Sequence, residues 1–317
     1  MTPAPESEAA SQSRRAQEVI PCNLCGSRDV RVLYDEPPPR GPQPQAADAR
    51  FAATTDEFGG YGRIVRCRAC RLVYRCPRPA ADELHREYAA CTDEAYRSES
   101  ISRSINAYLS LRTLKKFVSR GRLLEVGPAA GYFLNAARVD FDVVGVEPSL
   151  WACRHIRERF NIEVHPGTME AAAFLAPETF DAVVMMDVIE HLTDPQAALR
   201  RAAELLRPGG ILHLVTPDIG GLMARLCGRH WWGLRPAHLY YFDRVTLPRM
   251  LEQAGLETIL MKSFGRIFSY DYWASRLRHY PAWIYRPIKS AIAALDISDK
   301  LLYIDTRDSL ELCARKR

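Results

Sequence analysis

The sequence has no run approaching 18 uninterrupted apolar residues, and Met1 to Ala16 carries Glu6 and Glu8 without an apolar centre. Neither a membrane-spanning helix nor a secretory leader is therefore expected, and the expected location is cytoplasmic. A dominant charge is missing as well: 43 Lys and Arg against 38 Asp and Glu leave +5, too little over 317 residues to argue for a nucleic-acid partner. Around Arg63, Arg66, Arg68, Arg71, Arg75 and Arg78 the aromatic residues are Tyr61 and Tyr74, which is not the interleaving that base stacking requires. Those arginines read either as a solvated surface or as a patch for an anionic substrate. The cysteines do not form a disulfide framework: four of the nine fall in two Cys-x-x-Cys pairs, and Cys76, Cys91, Cys153, Cys227 and Cys313 stand apart. In a reducing compartment such pairs are metal ligands more often than bridges.

What is present is an ordinary globular composition, 47% apolar and 26% charged, organised around Arg122-Leu123-Leu124-Glu125-Val126-Gly127-Pro128-Ala129-Ala130-Gly131-Tyr132-Phe133-Leu134. A short apolar run, a glycine-bounded turn and apolar residues at helical spacing predict a buried parallel strand, a tight loop and a helix start. Gly127 and Gly131 let the backbone take positive φ or approach a ligand, and the helix behind them offers unpaired N–H groups. The glycines fall as G-x-x-x-G rather than G-x-G-x-x-G, which weakens a pyrophosphate reading and with it an NAD-dependent oxidoreductase. The second apolar run, Val143 to Val146, ends in Glu147, where a carboxylate can accept from both hydroxyls of a ribose. The plainer role for Glu147 is an acid at the start of the next helix.

The stretch Glu125 to Gly131 resembles the first motif of the S-adenosylmethionine (SAM)-dependent methyltransferases with a Rossmann-like fold, Ala129 standing for the middle glycine. Phe180-Asp181-Ala182-Val183-Val184-Met185-Met186-Asp187-Val188-Ile189-Glu190-His191-Leu192 resembles their fourth motif, and Leu206-Arg207-Pro208-Gly209-Gly210 their approach to strand five. The ending Ala314-Arg315-Lys316 is similar to the family's last strand. The resemblance implies an α/β fold: a seven-stranded methyltransferase sheet with the seventh strand antiparallel, over residues 121–317. It implies SAM contacts from Glu125, Gly127, Gly131 and Glu147, adenine packing from Met169 and orientation of the methionyl portion by Asp187. Tyr88 or Tyr96, in a helical linker or lid over residues 81–120, would touch the ligand or serve packing. Pro236-Ala237-His238 followed by Phe242 resembles the loop lining the acceptor pocket, making His238 the first candidate for a general base. His191 either shapes the pocket or contacts substrate. Ala237 stands where related sugar C-methyltransferases can carry an acid, so carbanion chemistry is not expected.

Residues 1–18 read as a disordered tail, and 19–80 as a small zinc-binding domain. Cys22, Cys25, Cys67 and Cys70 would complete a closed four-thiolate shell, a structural and not a catalytic site. The proline-rich stretch Pro37 to Pro44 reads as an inserted loop between the pairs. A second insertion, about 266–305, mixes Trp273, Tyr280, Trp283 and Tyr285 with Arg276, Arg278, Arg286 and Lys289. It reads as a helical lid, or as a contact to a membrane's inner face through 270–304. The function expected is methyl transfer from SAM to a small acceptor such as a sugar, lipid or quinone, with O-methylation favoured. The alternative is a zinc-ribbon sensor with an inactive methyltransferase-like domain. Oligomeric state is not legible.

Overall fold

Seven strands follow one another at the intervals the apolar runs mark: β1 (Gly121–Val126), β2 (Phe141–Glu147), β3 (Val164–Pro166), β4 (Phe180–Met186), β5 (Leu206–Pro217), β6 (Leu256–Ser263) and β7 (Ser309–Lys316). The computed structural model describes residues 17–35, 61–91, 99–278 and 280–317. Residues 1–16, the stretch Pro37 to Pro44 and Tyr96 lie outside them. The strands form one sheet in the order β6-β7-β5-β4-β1-β2-β3, and β7 runs antiparallel to both of its neighbours. This is the expected Rossmann-like architecture.

Its strands are apolar almost throughout because helices cover both faces. Leu124, Val183, Met185, Leu212 and Leu312 join the core on one face, and Leu123, Ala182, Val184 and Ile211 the core on the other. Complete burial of each such Leu or Val stabilises the fold by roughly 1.5–3 kcal/mol. Helix Leu150–Phe160 is capped by Ser149, whose side chain accepts from Ala152 N, and helix Pro195–Leu205 by Asp194, which accepts from Ala197 N. Proline at the first position of the second helix loses no hydrogen bond.

The chain order reverses at β1 and β4, which lie side by side, so the loops after them diverge and leave a crevice at the carboxyl edge of the sheet. Strand three departs from expectation. Asn161 takes a left-handed φ of 52° as the cap of the preceding helix, and pairing with β2 begins at Val164 instead of Ile162.

The cysteine-containing segment forms strands Val30–Tyr34, Ile64–Cys67 and Val73–Arg75, and their sheet is completed by Tyr240–Tyr241 from the far side of the chain. Residues 19–80 and 121–317 therefore share a sheet and also one continuous core, which joins Leu72 and Tyr74 to Leu247 and Leu251. Gln17 and Glu18, expected within the tail, instead pair with Pro79 and Arg78, and Glu18 accepts from Arg78 Nε at 2.7 Å. The arginine stretch is not uniformly solvated: Arg63, Arg68 and Arg71 are exposed and Arg66 half-buried. Arg75 and Arg78 are buried, donating to the carbonyls of Pro236 and Thr193.

Between β6 and β7 the insertion is a hairpin, Arg266–Ser269 with Leu301–Ile304, carrying helices Tyr270–Ser275 and Ala282–Ala294. None of the described helices is long and apolar enough to cross a membrane.

Candidate active site

The crevice opens into a cavity of about 790 Å³ lined by the loops after β1, β2, β4 and β5 and by the insertion. That is near the upper end of the roughly 300–1,000 Å³ typical of ligand sites. In the loop after β1, Gly127 has φ +67°, and a Cβ there would lie 2.8 Å from Val188 Cγ2. Gly131, at φ +77°, would meet Ile156 Cγ1 at the same distance. Ala129 holds φ 50° without a glycine's freedom, and its N–H donates to Glu147 Oε2 at 3.0 Å. The other oxygen of Glu147 accepts from Ser149 N at 2.9 Å. Each carboxylate oxygen is thus aimed by one backbone donor and keeps a lone pair for a ligand hydroxyl. Burial pushes the Glu147 carboxyl up to about 7, against the pull of those two N–H groups.

Glu147, Gly127, Met169, Asp187, His191 and His238 all line this cavity. Glu125 and Gly131 do not. Glu125 is buried behind the loop, its carboxyl pushed up to about 8 chiefly by burial, and its Oε2 has no hydrogen-bond partner among the described residues. Gly131 caps the helix Tyr132–Ala137 in a left-handed conformation.

Asp187 sits just past β4 with φ 55°, its N–H held by Val215 O and its carboxylate 2.6 Å from Arg266 Nη2. Glu190 is buried beneath the next turn. Thr216 Oγ1 donates to its Oε2 at 2.9 Å, whereas Oε1 has no hydrogen-bond partner among the described residues and lies 4.0 Å from His191 Nε2. His191 Nδ1 is 2.7 Å from the Tyr88 hydroxyl and 3.1 Å from Ala237 O. His238 Nδ1 is 2.8 Å from Gly233 O, a carbonyl that fixes the proton on that nitrogen and leaves Nε2 as the acceptor. The two imidazoles meet edge to face, centroids 4.7 Å apart. Burial lowers His191 to about 4 and His238 well below its ordinary value, with the charge of Arg235 acting on both. Both rings are held neutral, with an unprotonated nitrogen on each.

Among the described residues, two clusters have the donors for a metal. Cys22, Cys25, Cys67 and Cys70 bring their sulfurs within 4.8 Å of one another, with Cys22–Cys70 at 3.3 Å and Cys25–Cys67 at 3.5 Å. A tetrahedral zinc with Zn–S bonds of about 2.3 Å needs sulfurs roughly 3.8 Å apart, so the thiols fit. Glu190, His191 and His238 also present ligand atoms within 4.8 Å. Cavity-wall residues that the sequence did not single out for the site are Arg266, Arg103, Arg235, Tyr272 and Asp308. They belong to no motif, and Arg266 meets Asp187 only because the insertion folds back over β4.

A glycine-bounded loop, a carboxylate at the tip of β2 and a seven-stranded sheet with this order define a nucleoside-binding Rossmann-like enzyme. The family described as "Methyltransferase domain" matches residues 94–260. The chain belongs to the SAM-dependent methyltransferases.

It is similar to a ubiquinone biosynthesis O-methyltransferase from Dinoroseobacter shibae, 31% identical over 47% of this chain and 64% of the relative. It is also similar to one from Caulobacter vibrioides, 36% identical over 30% of this chain and 40% of the relative. The chain thus spans less than two thirds of the length of these curated relatives. A solved SAM-dependent methyltransferase from Archaeoglobus fulgidus superposes with a TM-score of 0.49 at 16% identity, over 71% of this chain and 100% of that one.

Proposed function

We propose that the protein transfers the methyl group of SAM to a hydroxyl oxygen of a small quinone-like acceptor. The observation that carries this is one cavity with a hydroxyl-accepting carboxylate, Glu147, at one end and two neutral imidazoles, His191 and His238, on its wall. The similarity to ubiquinone biosynthesis O-methyltransferases supports the acceptor class. When bound, SAM supplies a methyl on a sulfonium, which is already an activated electrophile. The chain's own residues then have to orient and desolvate. Glu147 holds the ribose, Met169 packs beside the base, and Asp187, fixed by Arg266, faces the donor's amino-acid portion. His238 takes the proton from the acceptor hydroxyl at Nε2, and His191, braced by Tyr88, shapes the wall beside it.

Cys22, Cys25, Cys67 and Cys70 would hold one structural zinc that leaves no open position for chemistry. The insertion contributes a lid. Trp283, Leu295 and Tyr303 are exposed on it, and this supports a peripheral contact with a membrane from which an apolar acceptor is drawn.

The test is methyl transfer from SAM to catechol and to a quinol, followed by mass spectrometry of the product, with zinc quantified in the same sample. A mass gain of one methyl on oxygen and about one zinc per chain are expected. SAM binding without transfer to any hydroxyl acceptor would leave a sensor.

A further inference from the structure

Helix Ser100–Leu114 buries a polar stripe. Asn106, Ser110 and Thr113 recur at i, i+4 and i+7, so they share one face, and all three are buried. Each is answered by a different element. Thr113 Oγ1 donates to Glu311 Oε2 on β7 at 3.1 Å, and Ser110 Oγ lies 2.6 Å from His213 Nε2 on β5. Those two bonds pin the helix to the sheet. Asn106 instead reaches the insertion: its Nδ2 donates to Ile267 O and its Oδ1 accepts from Ile267 N, both at 2.8 Å.

Ile267 belongs to strand Arg266–Ser269, which pairs along one edge with Leu301–Ile304. In an antiparallel strand each residue turns its N–H and C=O to the same side, and Ile267 turns both to Asn106. A carboxamide carries a donor and an acceptor side by side, as a peptide unit does, so Asn106 closes that edge as a neighbouring strand would. Burying the amide is costly unless both of its sides are bonded, and here both are. Side chains alternate between faces along a strand, so Arg266 and Phe268 share the face opposite Ile267, and both line the cavity. Arg266 packs its guanidinium 5.3 Å from the centre of the Phe264 ring and donates from Nη2 to Asp187 Oδ1 at 2.6 Å. A carboxylate has about four lone-pair positions, so Asp187 keeps capacity for a ligand's ammonium beside that bond.

We propose that Asn106 is a positioning residue for the donor's amino-acid portion: by fixing Ile267 it aims Arg266, and through Arg266 the carboxylate of Asp187. This rests on the methyltransferase reading, in which Asp187 faces that portion, and extends it to a helix outside the donor-binding loops. Glu147 and Met169, at the ends of β2 and β3, lie on the other side of β4 from the insertion, so the hold on the nucleoside is independent of Asn106.

The test compares two ligands on the full protein by calorimetry: S-adenosylhomocysteine, and 5′-methylthioadenosine, which has the same nucleoside and lacks the amino acid. Asn106→Leu removes both bonds at similar volume. It should weaken S-adenosylhomocysteine about 10-fold, the scale of one hydrogen bond to a charged group, and leave 5′-methylthioadenosine within about twofold. Asn106→Ala removes the same bonds without apolar bulk, and it decides the matter if circular dichroism shows that Asn106→Leu does not fold. An Asn106 that merely supports the fold would weaken both ligands alike or neither, and either result overturns the proposal. Asp187→Asn separates the proposal from its premise. If Asp187→Asn abolishes the preference for S-adenosylhomocysteine while the Asn106 variants keep it in full, the role of Asn106 alone falls. If Asp187→Asn leaves that preference intact, the placing of Asp187 falls and takes the proposal with it. Failure of the unaltered protein to bind either ligand overturns the methyltransferase reading itself.

Discussion

Replacing Glu147 by Gln changes one oxygen to an amide and tests the donor end directly. Glu147 Oε2 and Oε1 accept from Ala129 N and Ser149 N at 3.0 and 2.9 Å, so the amide nitrogen would face one of these donors and leave it unanswered. The ribose would lose a charged acceptor as well. A hydrogen bond to a charged group contributes roughly 1.5–3 kcal/mol, so the combined loss is about 3 kcal/mol, or on the order of 100-fold in affinity for S-adenosylhomocysteine. The pH dependence is the sharper part. A ribose diol donates to the ionised carboxylate, and burial puts that carboxyl at about 7 in the unliganded protein. At pH 6 only about a tenth of it is ionised, so affinity should be roughly tenfold weaker than at pH 8. Calorimetric titration at half-unit steps from pH 6 to 8.5 should show affinity rising and then levelling above 7 in the natural protein. The Glu147→Gln curve should be low and flat. A variant that binds within a few-fold of the natural protein, or that keeps its pH slope, would refute the role of Glu147.

His238→Ala should cut turnover by about 10² to 10⁴ with S-adenosylhomocysteine affinity unchanged, measured by steady-state assay beside calorimetry; equal turnover removes the base. Gly131→Ala forces a Cβ to 2.8 Å from Ile156 at φ +77°, and a melting curve should show a loss of about 1–3 kcal/mol. Glu311 is buried, which raises its carboxyl, yet His213 and Lys262 outweigh that and hold it below 4.5. A carboxyl lowered in the folded state stabilises above its unfolded value and loses that contribution as pH falls through the folded one. Acid unfolding of Glu311→Gln, followed by circular dichroism, should therefore show a flatter limb below pH 4.5, and an unchanged limb would exclude this contribution.

Much of the fold was legible because the strands are apolar on both faces, which left runs such as Val143 to Glu147 and Phe180 to Asp187 with boundaries within one or two residues of the observed Phe141–Glu147 and Phe180–Met186. The glycine loop and the acid that share the cavity wall were legible for a related reason: they end two neighbouring strands, and local backbone geometry fixes both. Contacts that depend on tertiary return were not. Arg266 finds Asp187 across 79 positions, and Tyr240–Tyr241 finds Val73–Arg75 from a loop read only as acceptor wall. The pairing of Gln17–Glu18 with Arg78–Pro79 was hidden by a composition resembling disorder, since the ion pair of Glu18 with Arg78 is invisible in a single stretch. Tyr88 carried two expected roles, ligand contact and packing; it lines the cavity and braces His191.

The segment that presents His238 is splinted from behind. Arg75 N–H donates to Leu239 O, its guanidinium to Pro236 O, and Tyr74 pairs with Tyr240, so the cysteine segment braces the loop that carries His238. Loosening the knuckles would leave the nucleoside end intact and blur the far wall. On the function proposed above, the cost would appear as poorer selection among acceptors before any loss of donor affinity.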